Sequence, residues 1–269
     1  MSKNMTVEKT FASAIQNHQK NNFKAAEDLY NQILEIDPNH IKTIFFLGTL
    51  SVQTKNFDRA KQMLQKTIQA QPNNVDAYNN LGVVFKEFEE FQKAKDCFEK
   101  VIQIQPKHVD ALNNLGNVFK QLNEPQKAIN YYQKAIEIEP SYINAHQNLM
   151  DVCEKTNQIT ELKDAVSNAR TFFKDNSIIK LYEGILLSRN EKFVEAKNYL
   201  ESILFETKEI KNEILRVSTL AKCYDRIGGT DKAFNYFKKA NLLSQKTKIK
   251  NFDKNKYLQE IKIRKEFFK

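Results

Sequence analysis

The chain has 269 residues, 41% hydrophobic and 28% charged, with only six glycines and five prolines; this suits a helical core and excludes a turn-rich β architecture. The formal charge of +9 invites a nucleic-acid or membrane reading, but eleven Lys and Arg residues lie in 238–269 against only Asp253, Glu260 and Glu266, so the basicity belongs to the tail. Cys97, Cys153 and Cys223 are widely separated with no CxxC pair, which excludes a disulfide framework and a zinc knuckle and predicts buried free thiols.

The N-terminus, MSKNMTVEKT, has no apolar core of a signal peptide, and no apolar run approaches the roughly 20 residues that cross a bilayer. The expected location is cytoplasmic. From there onward the chain repeats itself: Pro38, Pro72, Pro106 and Pro140 recur every 34 residues. Gly48, Gly82, Gly116 and Gly184 share a second phase, with Met150 standing where a glycine is due. Ala26, Ala60, Ala94, Ala128 and Ala196 share a third, interrupted by Leu162. Large residues hold a fourth, at Tyr30, Leu64, Phe98, Tyr132, Val166 and Leu200.

Each period reads as two helices. Tyr78, Leu81, Gly82 and Phe85 form one apolar stripe at helical spacing, and Ala94, Phe98, Val101 and Ile102 form another. Gly82 and Ala94 are expected at the crossing of the pair, where small residues permit close approach. Pro106 stops the second helix, because it lacks an N–H and disfavours helix at the preceding residue. The units run 7–40, 41–74, 75–108, 109–142, 143–176 and 177–210, and after a three-residue slip 214–247.

The 34-residue period, and the pattern A-x-N-N-L-G-x-V-F-K at 77–86 and 111–120, resemble the tetratricopeptide-repeat (TPR) family. The resemblance covers nearly the whole chain. It implies an all-α fold: a right-handed superhelical solenoid of about seven helix-turn-helix repeats, with a concave groove lined by the first helix of each unit. The unit at 143–176 has lost both small contact residues, which predicts altered packing or weaker stability there.

A turn of about 100° per residue places Asn79, Asn80, Val83 and Lys86 opposite the apolar stripe, followed in the next units by Asn113, Asn114, Asn117 and Lys120, then Asn148. Asn80, Asn114 and Asn148 recur at the repeat period and resemble the asparagine ladder of certain TPR grooves. Such amides donate and accept, and so grip an extended peptide backbone irrespective of sequence. The structural alternative is a solvated helix face in an Asn-rich and Lys-rich protein. The Lys/Asn/Arg clamp by which some TPR domains hold a chaperone C-terminus is replaced here by Phe45, Thr49, Asn80, Asp110 and Asn114, which supply little positive charge. The expected partner is therefore a protein or an extended peptide; neither nucleic acid nor membrane is favoured.

No catalytic residue, cofactor or metal site is predicted. His18, His40, His108 and His146 are isolated, phosphate-binding and nucleophile motifs are absent, and Gly228–Gly229 reads as the turn inside the last unit. Residues 248–269 form a basic amphipathic stretch, with Tyr257, Leu258, Ile261 and Phe268 on one helical face, predicted to cap the array. The stretch from Ala233 to Phe268, opening AF-x-YF-x-KAN-x-L, also resembles the junction of bacterial TPR–sulfotransferase proteins. That resemblance implies an alternative role as the substrate-docking module of a transferase.

Overall fold

The computed structural model describes residues 3–205 and 209–246, with side chains from Thr6 onward. The expected capping segment at 248–269 lies outside the described residues. Fourteen α-helices and no strand are found among the described residues. They follow one another as helix-turn-helix pairs: α1 (Lys3–Gln19) with α2 (Phe23–Ile36), α3 (Ile41–Gln53) with α4 (Phe57–Ala70), α5 (Val75–Glu87) with α6 (Phe91–Ile104), and α7 (Val109–Gln121) with α8 (Pro125–Ile138). Then follow α9 (Ile143–Lys155) with α10 (Ile159–Phe172), α11 (Ser177–Arg189) with α12 (Phe193–Glu201), and α13 (Ile210–Arg226) with α14 (Thr230–Lys246). The chain divides into two compact units, one ending at Val152 and the other beginning at Cys153. The boundary falls inside α9, the helix in which Met150 takes the glycine phase.

One turn builds every hairpin. Asn21, Lys55, Glu89, Asn123, Asn157 and Glu191 have φ near +60°, and Gly228 has φ +82°. The left-handed residue reverses the chain so that the next N–H reaches back to an orphan carbonyl of the last helical turn. Glu90 N–H thus donates to the Phe85 carbonyl at 2.9 Å, and equivalent bonds run from Asn22, Asn56, Glu124, Gln158, Lys192 and Gly229. The second helices stop as their prolines require: Pro38, Pro72, Pro106 and Pro140 directly follow the C-caps Asp37, Gln71, Gln105 and Glu139. The slip before the seventh hairpin coincides with α12 ending at Glu201 after only 9 residues.

The next helix is started by side chains that accept its first free N–H groups. Asn74 accepts from Ala77 N–H at 2.9 Å, and His108, in the corresponding place one period later, accepts from Ala111 N–H at 3.2 Å.

In the four hairpins that carry the phased glycine, Gly48, Gly82, Gly116 and Gly184, it cradles the large residue sixteen positions on. A Cβ on Gly82 would lie 2.7 Å from the Phe98 ring, and one on Gly116 would lie 2.5 Å from the Tyr132 ring. The close neighbour of Gly82 is therefore Phe98; Ala94, the expected partner, is fully buried four residues earlier. In the first unit, α3 also packs beside α5 and α5 beside α7. First helices thus lie side by side. In the second unit α11 packs beside α13 in the same way.

Candidate functional site

Side-by-side packing of first helices decides what happens to the residues singled out in the sequence. A position about 100° from the core stripe is partly covered by the neighbouring hairpin, so its polar group must find a partner there or be left open. Asn80 is half-buried and its Nδ2 donates to Thr49 Oγ1 at 3.1 Å. Asn148 is half-buried and its Nδ2 donates to Asn113 Oδ1 at 2.8 Å. Asn113 itself is 6% exposed and belongs to the contact between hairpins. Asn117 Oδ1 accepts from the Tyr132 hydroxyl at 2.9 Å, and Lys120 pairs with Asp151 at 3.3 Å.

The remaining groups are less engaged. Asn114 is half-buried and makes no side-chain hydrogen bond among the described residues; Lys86 is half-buried. Asn79 Oδ1 is buried without a hydrogen-bond partner. The row at the repeat period is therefore two amides fixed through Nδ2, with Asn114 between them. Thr49, Tyr132 and Asp151 as partners were not apparent from the sequence, because the bonds span 15 to 31 residues and need the packing to bring them together.

In the second unit the first-helix face carries a cleft of about 190 Å³. It is lined by Ser188 and Arg189 from α11, Ser218, Thr219 and Lys222 from α13, Glu154, and the apolar Ile185, Leu215 and Phe237. Arg189 donates to Glu154 at 2.7 Å and to Asn157 at 3.2 Å. Burial, reinforced by the neighbouring Arg189 and Arg226, holds the Lys222 ammonium below the usual lysine range. Sequence periodicity gave no signal for this cleft, since its polar groups do not recur from unit to unit.

The other reactive side chains serve structure. All three cysteines are buried, and burial pushes the Cys97 thiol up to about 12 and the Cys153 thiol to about 11, far from a nucleophilic thiolate. His40 and His108 cap helices, and His146 Nε2 lies 2.9 Å from the Pro140 carbonyl. No group of three His, Cys, Asp or Glu side chains converges as a metal site among the described residues. No described helix is long and apolar enough to cross a membrane.

Family models of the tetratricopeptide repeat match residues 18–82, 75–108 and 109–142. No curated protein sequence matches the chain. Among solved structures it is similar to MamA, at 26% identity over 63% of this chain and 92% of that one, with a TM-score of 0.57. A tetratricopeptide repeat protein from Parabacteroides merdae is 16% identical over 95% of this chain and 97% of its own, with a TM-score of 0.69. A chain of the APC/C hetero-tetramer Cut9–Hcn1 is 16% identical over 83% of this chain and 43% of that one, with a TM-score of 0.62. The last two likenesses concern the fold alone.

Proposed function

The chain belongs to the tetratricopeptide-repeat family, and from that premise we propose that it is an interaction scaffold whose first-helix face in the N-terminal unit holds an extended segment of a protein partner. The observation that carries this reading is the amide row. Asn80 and Asn148 are oriented by bonds that each use one N–H of Nδ2, which leaves the second N–H, and Oδ1 as an acceptor, for a peptide backbone. Asn114, between them in the repeat, offers both ends of its amide. Pre-oriented amides lose little side-chain entropy on binding, so each bond contributes more of its intrinsic strength. Asn79, Asn117, Lys86 and Lys120 surround the row, and Asn113 supports it from beneath. A hetero-assembly containing Cut9 is an instance of this fold working through protein contacts.

The test is capture of the full chain by an array of extended 12-residue peptides, comparing the unaltered protein with the triple variant Asn80→Ala, Asn114→Ala, Asn148→Ala. Three lost hydrogen bonds of about 1 kcal/mol each predict at least a tenfold loss across sequences, with unchanged helicity by circular dichroism. Capture equal to that of the unaltered protein rejects the amide row.

A further inference from the structure

The cleft of the second unit differs from the amide row in three respects. Its hydroxyls lack partners: Ser188 is 3% exposed, and its Oγ, like that of Ser218, is buried without a hydrogen bond of normal geometry among the described residues. The group beside Ser188 is the Cys223 thiol, a weak donor and acceptor. Its charge is unbalanced. Glu154 is already engaged by Arg189, whereas Lys222 has no ion pair among the described residues; Arg226 is felt by Lys222 but does not line the cleft. Its walls are mixed, because Ile185, Leu215 and Phe237 flank the polar groups.

Each feature selects a ligand property. An unpaired buried hydroxyl costs about 1–3 kcal/mol, a cost that a ligand oxygen would remove. One unpaired lysine balances one negative charge, the charge of a carboxylate and not the roughly two of a phosphate. Apolar walls suit a short methylene stem carrying that charge. We propose that this cleft receives the acidic side chain of a glutamate or aspartate in a bound partner segment. The carboxylate pairs with Lys222, and the Ser188 and Ser218 hydroxyls donate to its oxygens. This assignment rests on the scaffold reading but uses none of the asparagine row.

The experiment is a chemical-shift titration of the ¹⁵N-labelled full chain with N-acetylglutamate N-methylamide, its glutamine counterpart and sodium phosphate. The expected result is a saturable shift of the Ser188, Ser218 and Lys222 amides with the glutamate probe, at least tenfold weaker with the glutamine probe and with phosphate. Lys222→Gln should abolish it and Lys222→Arg should retain it. Equal response to the glutamine probe, tighter saturation by phosphate, absence of a saturable shift, or persistence of the shift in Lys222→Gln would each overturn the assignment. The triple asparagine variant should bind the glutamate probe as the unaltered chain does. Loss of array capture alone then rejects the amide row, and loss of the probe response alone rejects the cleft.

Discussion

The Cβ that Gly116 lacks would sit 2.5 Å from Cε1 of Tyr132, a ring that is fully buried and tethered through its hydroxyl to Asn117. A methyl group there would force the ring and its hydrogen bond to move together. Overpacking of this kind costs about 1–3 kcal/mol, against a helix-propensity gain of about 1 kcal/mol for replacing glycine. Gly116→Ala should therefore lower stability by about 1–2 kcal/mol. At Gly48 the nearest atom is Leu64 Cγ at 3.1 Å, on a side chain without such a tether, so Gly48→Ala should lie close to neutral. Urea unfolding midpoints of the two variants test this contrast.

The glycine phase and its large counterpart were legible in the sequence because both recur at 34 residues, and a periodic signal survives without coordinates. The pairing between them was not, since the pattern sets Gly82 and Ala94 at the crossing and the contact of Gly82 with the Phe98 ring emerges only from the packing. The same holds for the polar face. Asn79 and Asn113 stand one period apart at the same angle on their helices, yet Asn113 is buried and accepts from Asn148, whereas Asn79 Oδ1 is left without a partner. The Ser188–Lys222 cleft was invisible for the opposite reason: it belongs to one pair of hairpins, and repetition cannot announce a feature that occurs once.

The hairpin turns offer a backbone test free of packing. Glu89 has φ +58°, a left-handed conformation that costs an L-residue about 1–2 kcal/mol. Gly228 takes the same role at φ +82° with nothing within 4 Å of its missing Cβ. Glu89→Gly should raise stability by about 0.5–1 kcal/mol after the entropic cost of glycine. Gly228→Ala should lower it by about 1 kcal/mol, through the backbone alone. Opposite displacements of the denaturation midpoint are expected; displacement in one direction for both would show that the turn conformation is not what limits stability.

The amide row contains residues of unequal structural weight. Asn148→Ala removes the donor to Asn113 Oδ1, leaving a buried acceptor unpaired at a cost of about 1–3 kcal/mol. Asn114→Ala removes no internal hydrogen bond and should change stability by less than about 0.5 kcal/mol. Equilibrium unfolding of both single variants separates the support that Asn148 gives to the fold from any share it has in binding. If Asn114→Ala unfolds as readily as Asn148→Ala, the amide of Asn114 serves the fold as well.

Acid should weaken the second unit through Glu213. Burial pushes this carboxyl up, but hydrogen bonds from Arg216, at 2.7 and 2.9 Å, and from Lys239, at 2.7 Å, outweigh it and leave the group below its ordinary value of 4.5. Arg216 also donates to the Leu200 carbonyl at 3.0 Å, so the same guanidinium joins α13 to the end of α12. A depressed carboxyl contributes stability that is fully present above its unfolded value and is lost as pH falls through the folded one. The urea midpoint reported from the second unit should therefore be flat above pH 5 with respect to this group and should decline below about pH 4.5. Glu213→Gln should lower the neutral-pH midpoint, by on the order of 2–3 kcal/mol for the charge-assisted bonds lost, and should remove that part of the acid dependence. An unchanged acid limb in Glu213→Gln would mean that other carboxylates carry the response and that the Arg216 junction stands without its counter-charge.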